Sequence, residues 1–322
     1  MDGRTWPLAS TLIADRTLGR VAAMSRARIQ LVVYRNEFDA FRRTITAVRA
    51  CVRHAVASGL VESVTVAIGD CSPTPSLDAQ QVSALAAELD GVAALTYTFF
   101  DANLGSAGGS NRLAAEGDEE LIWVLNPDTY PTPSCLSVLI ESLAAEGVGA
   151  CDARQLPIEH PKGYDLLTGQ AYWLTGACML VRRAAFESVQ GFDGHHFPMY
   201  CDDVDFSWRL RHAGWTLRTA PRATVFHDKR PTPEGLPSGS EFEHESGALA
   251  RLKLARRYCR PELEQNELAA FEAAPVPALN RAAADFRALD RADDLPAPMP
   301  DAAAVADMEQ DYYGPHRFRY AL

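Results

Sequence analysis

Apolar and polar residues alternate in blocks along the first half of the chain, and these blocks predict strands and helices in turn. The apolar run Ile29–Tyr34 predicts a strand, and apolar side chains that recur every three to four residues from about Phe38 to Ala57 predict a helix. The β-branched run Val64–Ile68 predicts a second strand, and Val82–Leu89 has the pattern of a second helix. The chain therefore begins with two β-α units.

Two further apolar runs continue this alternation. Leu95–Phe100 predicts a third strand, which a glycine-rich turn joins to a helix ending near Glu116, and Leu121–Leu125 is an almost wholly apolar fourth strand. Apolar strands alternating with amphipathic helices are typical of a doubly wound, mostly parallel sheet with helices on both faces. Because ligands of such α/β sheets bind beyond the carboxyl ends of the strands, we expect the functional residues in the turns that follow them.

The second half of the chain mixes short strands with helices and predicts an α+β extension that completes the same site. Strands are predicted at Cys178–Val181, Thr216–Thr219 and Thr224–Phe226, and helices near Ala184–Val189 and Val204–His212.

The two ends of the chain lack these patterns. Residues 1–27 have no strong periodicity and are predicted to be an extension. A last helix is predicted at about Ser246–Tyr258, followed by an Ala-, Pro- and Asp-rich tail that is weakly ordered or wraps the surface. We therefore divide the chain into an extension (1–27), a main domain (28–230) and a helical C-terminal extension with its tail (231–322).

Composition narrows the class of protein. A chain of 322 residues with 47% hydrophobic content can bury one large core. The net charge of -11 argues against a protein that coats nucleic acid, which requires a basic surface. No apolar run approaches the roughly 20 residues of a membrane-spanning helix and no leader peptide is evident, so we expect a cytoplasmic protein. Seven single cysteines without a C-x-x-C pair indicate reduced thiols.

Two turns after predicted strands carry residues suited to a nucleotide. Asp70 follows the second strand, where its carboxylate either accepts the imide N–H of a uracil or thymine ring or caps its own turn. The segment Asn103–Arg112 contains three glycines within five residues and leads into a helix. Such a segment lets the backbone approach a ligand closely, although it can also be only a tight turn.

Asp128 and His227 each follow or end an apolar strand and are candidate metal ligands. The segment Asn126–Asp128 places a carboxylate at the binding edge of the sheet, where it can bind a hard divalent cation or form a turn of its own. A neutral imidazole at His227 can share that cation, or serve as a hydrogen-bonded structural residue.

Three carboxylates crowd the start of a predicted helix, at Asp202, Asp203 and Asp205. Helix capping explains one aspartate there but not three. Carboxylates this close together repel, which raises the pKa of at least one of them and suits a general base.

Taken in order over about Arg28–Lys229, these residues resemble the family 2 glycosyltransferases of the GT-A fold. The resemblance is closest to the rhamnosyltransferase-like branch that builds bacterial surface polysaccharides. The segments that carry it are Gly69–Ser72, Asn103–Asn111, Leu125–Asp128 and Thr175–Arg183, together with the Asp202–Asp205 helix start and His227.

The resemblance implies a role for each matching residue. It implies an inverting transfer in which Asp203, with Asp202 beside it, deprotonates the acceptor, while Asp128 and His227 hold Mn²⁺ or Mg²⁺. Residues 28–130 would bind the nucleotide sugar, and residues 131–230 would bind the acceptor through Trp173, Tyr200 and Asp202. The implied donor-binding residues are Tyr34, Asn36, Asp70, Asn103, Gly105, Gly108, Gly109, Asn111, Asn126, Asp128 and Gly176.

The sequence departs from the family pattern at three places. Asn126 stands where many members have a second metal-binding aspartate, Asp202 stands where a glutamate is usual, and Cys71 and Ser72 replace the usual Asn-Gly. By analogy the donor is dTDP-rhamnose, with UDP-galactofuranose or another UDP-hexose as the alternative. The acceptor is a glycan, which when lipid-linked would draw the protein to the inner membrane face. A nucleotidyltransferase and a non-catalytic glycan-binding scaffold are the other classes considered.

Overall fold

The computed structural model describes most of the chain that follows the N-terminal segment. The described residues are 25–160, 162–229, 239–308, 312–315 and 317. Most of the predicted extension 1–27 therefore lies outside the described residues.

One sheet of eight strands forms the centre of the described structure, in the order β3-β2-β1-β4-β7-β6-β8-β5. Its strands are β1 (Ser25–Val33), β2 (Val61–Asp70), β3 (Ala94–Phe99), β4 (Leu121–Leu125), β5 (Thr129–Pro131), β6 (Val148–Leu156), β7 (Cys178–Arg182) and β8 (Thr216–His227).

Helices lie between the strands and continue beyond the last one. They are α1 (Phe38–Ala57), α2 (Ala79–Leu89), α3 (Gly105–Ala115), α4 (Cys135–Leu143), α5 (Arg183–Ser188), α6 (Asp202–His212), α7 (Glu241–Arg257), α8 (Pro261–Ala273) and α9 (Pro277–Arg291), followed by a 3₁₀ helix at Pro300–Val305.

The first four strands form the parallel half that the sequence predicted. β1 pairs in parallel with both β2 and β4, and β2 pairs in parallel with β3. Ile29 and Leu31 of β1 are fully buried in the same cluster as Phe41 and Ile45 of α1, so the periodic face of that helix covers the strand. This packing fixes the carboxyl ends of β1 and β4 side by side.

The second half departs from the prediction in three ways. β7 is antiparallel to both β4 and β6, so the sheet is mixed. β6 was not predicted, because Asp152, Arg154 and Gln155 interrupt its apolar pattern. The two short strands predicted at Thr216–Thr219 and Thr224–Phe226 are a single strand whose pairing with β6 shifts register between Ala153 and Arg154.

The prediction that Ser246–Tyr258 forms the last helix was wrong. Two more helices, α8 and α9, follow it, and each starts with a proline at its first turn. Proline is well suited to that position because its missing N–H has no helical partner there. Phe286 of α9 is buried against Leu252 of α7 and Leu268 of α8, so this part of the tail is a packed helical unit.

The cysteines are free, and six of the seven are buried. Within the described part of the chain, every helix is too short or too polar to cross a lipid bilayer.

Candidate active site

A cavity of about 670 Å³ opens where β1 and β4 end, and it collects side chains from distant parts of the sequence. Its volume lies in the range of small-molecule sites. Ten of the residues predicted for the site line it, namely Tyr34, Asn36, Asn126, Asp128, Trp173, Gly176, Tyr200, Asp202, Asp203 and His227.

Asp128 and His227 are neighbours in this cavity because β5 and β8 pair antiparallel, with Thr129 opposite His227. The His227 Nε2 atom lies 3.3 Å from the Asp128 Oδ2 atom. Burial opposes ionisation of Asp128, but hydrogen bonding and charge from His227 outweigh it and hold the pKa of this carboxyl below its usual range. Asp128 is therefore a carboxylate at neutral pH.

The hydrogen bonds of His227 test whether the pair suits a metal ion. His227 Nδ1 lies 2.8 Å from Gln155 Oε1, while the Gln155 amide nitrogen donates to Thr175 Oγ1 at 3.0 Å. An amide oxygen can only accept, so His227 Nδ1 carries the proton. Nε2 then faces the Asp128 carboxylate and is the ring nitrogen available to share a cation with it. The pair therefore fits a divalent metal.

Asp202 and Asp203 line the same cavity at the start of α6, but their hydrogen bonds differ. Asp203 accepts two backbone N–H groups, from Gly176 to Oδ2 and from Val204 to Oδ1, each at 2.9 Å. Asp202 accepts the Ser106 hydroxyl at 3.1 Å. Backbone N–H donors favour a charged carboxylate, and Asp203 has two of them.

The pKa values of both carboxyls are raised. Burial and then the charge of Asp203 raise the pKa of Asp202 to about 8. Burial also raises the pKa of Asp203, while the N–H groups of Gly176 and Val204 oppose that rise. We infer that the pair shares one proton near neutral pH, which resides on Asp202 and leaves Asp203 as the anion.

The turn before α6 is conformationally strained. Tyr200 and Cys201 have φ values of 65° and 55°, which L-residues rarely adopt. C-terminal residues contact this turn: the Tyr200 ring packs edge-on against Phe242, with ring centres 6.3 Å apart, and Cys201 Sγ lies 3.1 Å from the Tyr313 hydroxyl. The C-terminal extension thus contacts the turn that positions both carboxylates.

Comparisons with known proteins find similar chains among glycosyltransferases. A family profile described as "Glycosyl transferase family group 2" matches residues 163–265. The N-acetylglucosaminyl-diphospho-decaprenol L-rhamnosyltransferase of Mycobacterium tuberculosis is 47% identical over 73 residues, which cover 23% of this chain and 20% of the relative. Rhamnosyltransferase WbbL of Escherichia coli is 44% identical over 55 residues, which cover 17% of this chain and 20% of that protein.

Residues 163–265 are thus similar to family 2 glycosyltransferases. The match spans a fifth of the length of its curated relatives, 20% in each case.

Solved glycosyltransferase structures show that this chain has the GT-A fold. The mannosyltransferase PcManGT of Pyrobaculum calidifontis, in complex with GDP-Man and Mn²⁺, gives a TM-score of 0.54 at 17% identity and covers 88% of this chain and 79% of its own. GalNAc-T7 with UDP, GalNAc and Mn²⁺ gives a TM-score of 0.58 at 9% identity, and the alignment covers 85% of this chain and 56% of GalNAc-T7. At these identities the likeness concerns the fold.

The glycine-rich segment does not line the cavity as predicted. A Cβ on Gly105 would lie 2.2 Å from the carbonyl oxygen of Pro198, and one on Gly109 would lie 2.8 Å from Val32. The glycines therefore let α3 pack against protein and not against a donor. Among the described cavity-lining residues the predicted Asn103, Gly105, Gly108, Gly109 and Asn111 are absent, whereas Ser106 and Ser110 of the same helix are present.

Asn111 and Asp70 are likewise structural in this arrangement. The Asn111 side chain bonds the backbone N–H and carbonyl of Phe192, joining α3 to the loop before α6. Asp70 is 0% exposed. Its carboxylate accepts the backbone N–H of Ser72 and the N–H and hydroxyl of Ser76 at 2.7 to 2.9 Å, and the Tyr97 hydroxyl at 2.6 Å. The structure thus supports the turn-capping alternative, since no lone pair remains exposed for a nucleotide base.

Asp205, the third acidic residue of the helix start, lies away from the cavity. It is 0% exposed and pairs with Arg209 at 2.7 Å and Arg257 at 2.8 Å. It therefore anchors the helix.

Several cavity residues were missed by sequence reasoning. Lys162 pairs with the buried Asp152 and donates to the Trp173 carbonyl at 3.1 Å, and Lys229 follows β8 by two residues. The sequence features that could have indicated these residues are the polar residues of β6 and Lys229, two positions after His227. Neither feature forms a pattern typical of a binding site. The missed residues include Ser106, Gln155, Lys162 and Lys229.

A second group of possible ligand atoms lies outside the cavity. His195, His196 and Asp294 bring three such atoms within 4.8 Å of one another. Arg257 contacts His196 Nδ1 at 3.3 Å, and Lys253 donates to the His196 carbonyl at 3.0 Å. These cations disfavour a metal ion, and the group instead joins the C-terminal extension to the loop before α6.

Proposed function

We propose that this chain is an inverting, metal-dependent glycosyltransferase that moves a sugar from a nucleotide diphosphate donor to a glycan acceptor. The observation that carries the proposal is a single cavity lined by two pairs of residues, Asp128 with His227 and Asp202 with Asp203. The first pair suits the diphosphate of the donor, and the second suits a hydroxyl that must lose its proton.

Asp203 is the proposed general base. The backbone N–H groups of Gly176 and Val204 hold its carboxylate in place and keep it charged. It accepts the proton of the acceptor hydroxyl while that oxygen attacks the anomeric carbon of the donor. The bond from the anomeric carbon to the diphosphate breaks in the same step, so the configuration at that carbon inverts.

Asp128 and His227 are the proposed metal ligands, and Gln155 keeps His227 Nε2 free to bind. A bound Mn²⁺ or Mg²⁺ would offset the charge that develops on the departing diphosphate. Lys229 lines the same cavity and adds positive charge, whereas the charge of Lys162 is balanced by Asp152.

We propose rhamnose from dTDP-rhamnose as the donor sugar and a lipid-linked glycan as the acceptor. The name of the mycobacterial relative states both an L-rhamnosyl transfer and a diphospho-decaprenol acceptor, which supports this choice. UDP-galactofuranose or another UDP-hexose is the alternative, since fold alone does not fix a substrate. A cytoplasmic protein working at the inner face of the membrane would meet both substrates.

The proposal is tested by incubating the protein with dTDP-rhamnose, UDP-galactofuranose, UDP-glucose and GDP-mannose, each with Mn²⁺ and a short-chain N-acetylglucosaminyl diphospholipid. We expect transfer from dTDP-rhamnose, inversion at the anomeric carbon by NMR, loss of activity with EDTA and recovery with Mn²⁺. Full activity after exhaustive chelation would exclude the metal role. Donor binding without transfer or hydrolysis would favour a non-catalytic scaffold.

Calorimetry of Mn²⁺ binding in the presence of the nucleotide diphosphate distinguishes a metal ligand, His227, from a residue that only orients it, Gln155. His227→Ala should abolish the Mn²⁺ affinity of the site, and Gln155→Leu should lower it by about 10- to 100-fold because the ring loses its orienting partner. His212→Ala, at the exposed end of α6, is the control and should bind as the parent does. Unchanged binding by His227→Ala would remove that residue from the metal site.

A further inference from the structure

Two leucines project into solvent in the turn between β6 and β7. Leu166 is 82% exposed and Leu167 is 97% exposed, whereas the next most exposed large apolar side chain among the described residues, Phe242, is 60% exposed. Full exposure of two adjacent leucines leaves apolar surface in water without any compensating contact.

The turn that carries the two leucines is fixed by specific hydrogen bonds. Asp165 Oδ1 accepts the backbone N–H groups of Leu167 at 3.1 Å and Thr168 at 2.6 Å, and also the Thr168 hydroxyl at 2.7 Å. Gly169 follows with a φ of +75°, and a Cβ there would lie 2.6 Å from the Thr219 carbonyl oxygen. An aspartate cap and a required glycine thus keep the leucines outside.

The stem of this turn belongs to the active site. Lys162 and Trp173, which flank the turn on either side, both line the cavity. Tyr164 and Ala171 form an antiparallel bridge between these two positions and close the turn. Leu166 lies four positions after Lys162, so their Cα atoms are at most about 14 Å apart. The exposed leucines therefore lie close to the active-site cavity.

We propose that the Leu166–Leu167 turn inserts into the surface of a lipid bilayer and so brings the cavity to an acceptor held in that bilayer. This inference rests on the proposed function, because the acceptor named for the mycobacterial relative is a diphospho-decaprenol. Adjacent apolar side chains at a convex tip match the shallow boundary between headgroups and acyl chains. A stable protein interface needs a much larger surface than two side chains offer.

The charge of the chain determines how this binding should respond to salt. A net charge of -11 gives repulsion, on average, from an anionic surface. Binding that depends on apolar insertion should therefore be at least as strong on neutral vesicles as on anionic ones, and it should persist at high salt because salt screens only the charge interactions. Binding that disappears in high salt would point to an electrostatic contact and contradict the proposal.

Vesicle flotation is the first test. The full chain is mixed with vesicles of phosphatidylcholine, or of phosphatidylcholine with phosphatidylglycerol, and the fraction that floats is measured. The parent should float, and the double variant Leu166→Ser, Leu167→Ser should lose most of that binding. Val56→Ser, an apolar residue 45% exposed near the end of α1, is the matched control and should float like the parent. Equal flotation of parent and double variant, or no flotation of the parent, overturns the proposal.

A fluorescence measurement then locates the insertion. Leu167→Trp should show a blue-shifted additional emission on mixing with vesicles and should be quenched by brominated phosphatidylcholine, relative to the parent. Val56→Trp should show neither change. If Leu167→Trp responds instead to protein concentration without vesicles, the turn is a contact between copies of the chain and the bilayer proposal is wrong.

Transfer assays separate this proposal from the proposed function. The double serine variant should transfer sugar to a water-soluble acceptor at the parental rate and lose activity at least several-fold when the acceptor is embedded in vesicles. Loss on both acceptors would place the leucines in the reaction and not in docking. Absence of transfer by the parent would refute the proposed function, while flotation would still decide the role of the turn.

Discussion

At the scale of single residues, two adjacent carboxylates of the same helix have different surroundings and therefore different chemistry. Asp203 accepts the backbone N–H groups of Gly176 and Val204, whereas Asp202 accepts the Ser106 hydroxyl. Backbone donors stabilise negative charge, so the shared proton belongs on Asp202, and Asp203 is the carboxylate able to accept another. The order of the sequence alone cannot distinguish them, since both stand in the first turn of α6.

The first prediction concerns the rate of transfer. Asp203→Asn keeps the size of the side chain but cannot accept a proton, so the rate should fall by about 10²-fold or more while donor affinity hardly changes. Asp202→Asn should cost much less below about pH 8, because an asparagine resembles the protonated carboxyl already present there. The rates are measured at saturating donor. The opposite ranking would show that Asp202 is the base.

The second prediction concerns stability and pH. The pKa of Asp202 rises from the model-compound value of 3.8 when unfolded to about 8 when folded. Between these values the unfolded chain releases this proton while the folded chain keeps it, so the free energy of unfolding should fall as pH rises. Asp202→Asn should flatten that fall and stabilise the protein by about 1 to 3 kcal/mol at pH 8.

Urea unfolding at pH 5 and pH 8 measures this effect. Asp90→Asn, at an exposed position after α2, serves as the control and should leave the pH dependence unchanged. An Asp202→Asn variant that is as sensitive to pH as the parent would place the raised pKa elsewhere.

At the scale of elements, α3 and the loop before α6 are joined by a close backbone contact. The Ala107 N–H donates to the Pro198 carbonyl at 3.2 Å, and Gly105 leaves no room for a side chain beside that same oxygen. Since Ser106 also bonds Asp202, the approach of the two elements helps to place a site carboxylate. The glycine-rich segment therefore helps to position Asp202 through its contact with the loop before α6.

The third prediction compares two glycines of equal backbone conformation. Gly105 has a φ of +67° and Gly91 has a φ of +68°, but only Gly105 has atoms within 4 Å of its would-be Cβ. Gly91→Ala should cost about 1 kcal/mol through backbone strain. Gly105→Ala should cost about 2 to 4 kcal/mol because the Pro198 carbonyl must also move.

Free energies of unfolding and transfer rates are measured for both variants. The rate should fall only in Gly105→Ala, since only that change displaces the loop before α6. Equal effects of the two variants on stability and rate would show that the contact with Pro198 is unimportant.

At the scale of the whole molecule, buried ion pairs join the C-terminal extension to α6, the helix that carries Asp202 and Asp203. Arg257 of α7 contacts Asp205 of α6 at 2.8 Å, and it also reaches Asp193 in the loop before that helix at 2.5 Å. Asp205 is 0% exposed, so its charge depends on these partners. The extension is therefore part of the same folded unit as the site.

The fourth prediction follows from this burial. Arg257→Met leaves Asp205 with less of its compensating charge, and the protein should lose about 3 to 5 kcal/mol of stability, the usual cost of breaking a buried pair. Arg287→Met removes an arginine that pairs with Glu272 at the surface, where the side chains are 53% and 42% exposed. This control should leave the free energy of unfolding almost unchanged, because solvent screens such a pair.

Chemical denaturation of both variants gives the comparison. A stable Arg257→Met protein would mean that Arg209 alone neutralises Asp205.

The sequence by itself determined the parallel half of the sheet and the order of the main site segments. β1 to β4 and their helices follow from local patterns, because strand and helix periods place the apolar residues of each element on the face that is buried. The prediction that polar residues after these strands meet at one edge also needs only the rule for parallel sheets. Asp128, Asp202, Asp203 and His227 accordingly line one cavity.

Tertiary structure decided which polar residues face that cavity and which make only structural contacts within the protein. The sequence predicted that Asp70 and Gly105 bind a ligand. In the structure, the Asp70 carboxylate accepts hydrogen bonds from Ser76 and Tyr97, and the Pro198 carbonyl occupies the space beside Gly105. The role of Gln155, by contrast, follows only from the pairing of β6 with β8, which brings its side chain to His227. A side chain's partners come from segments far away in the chain, and local pattern carries no information about those segments; the three-dimensional arrangement alone supplies it.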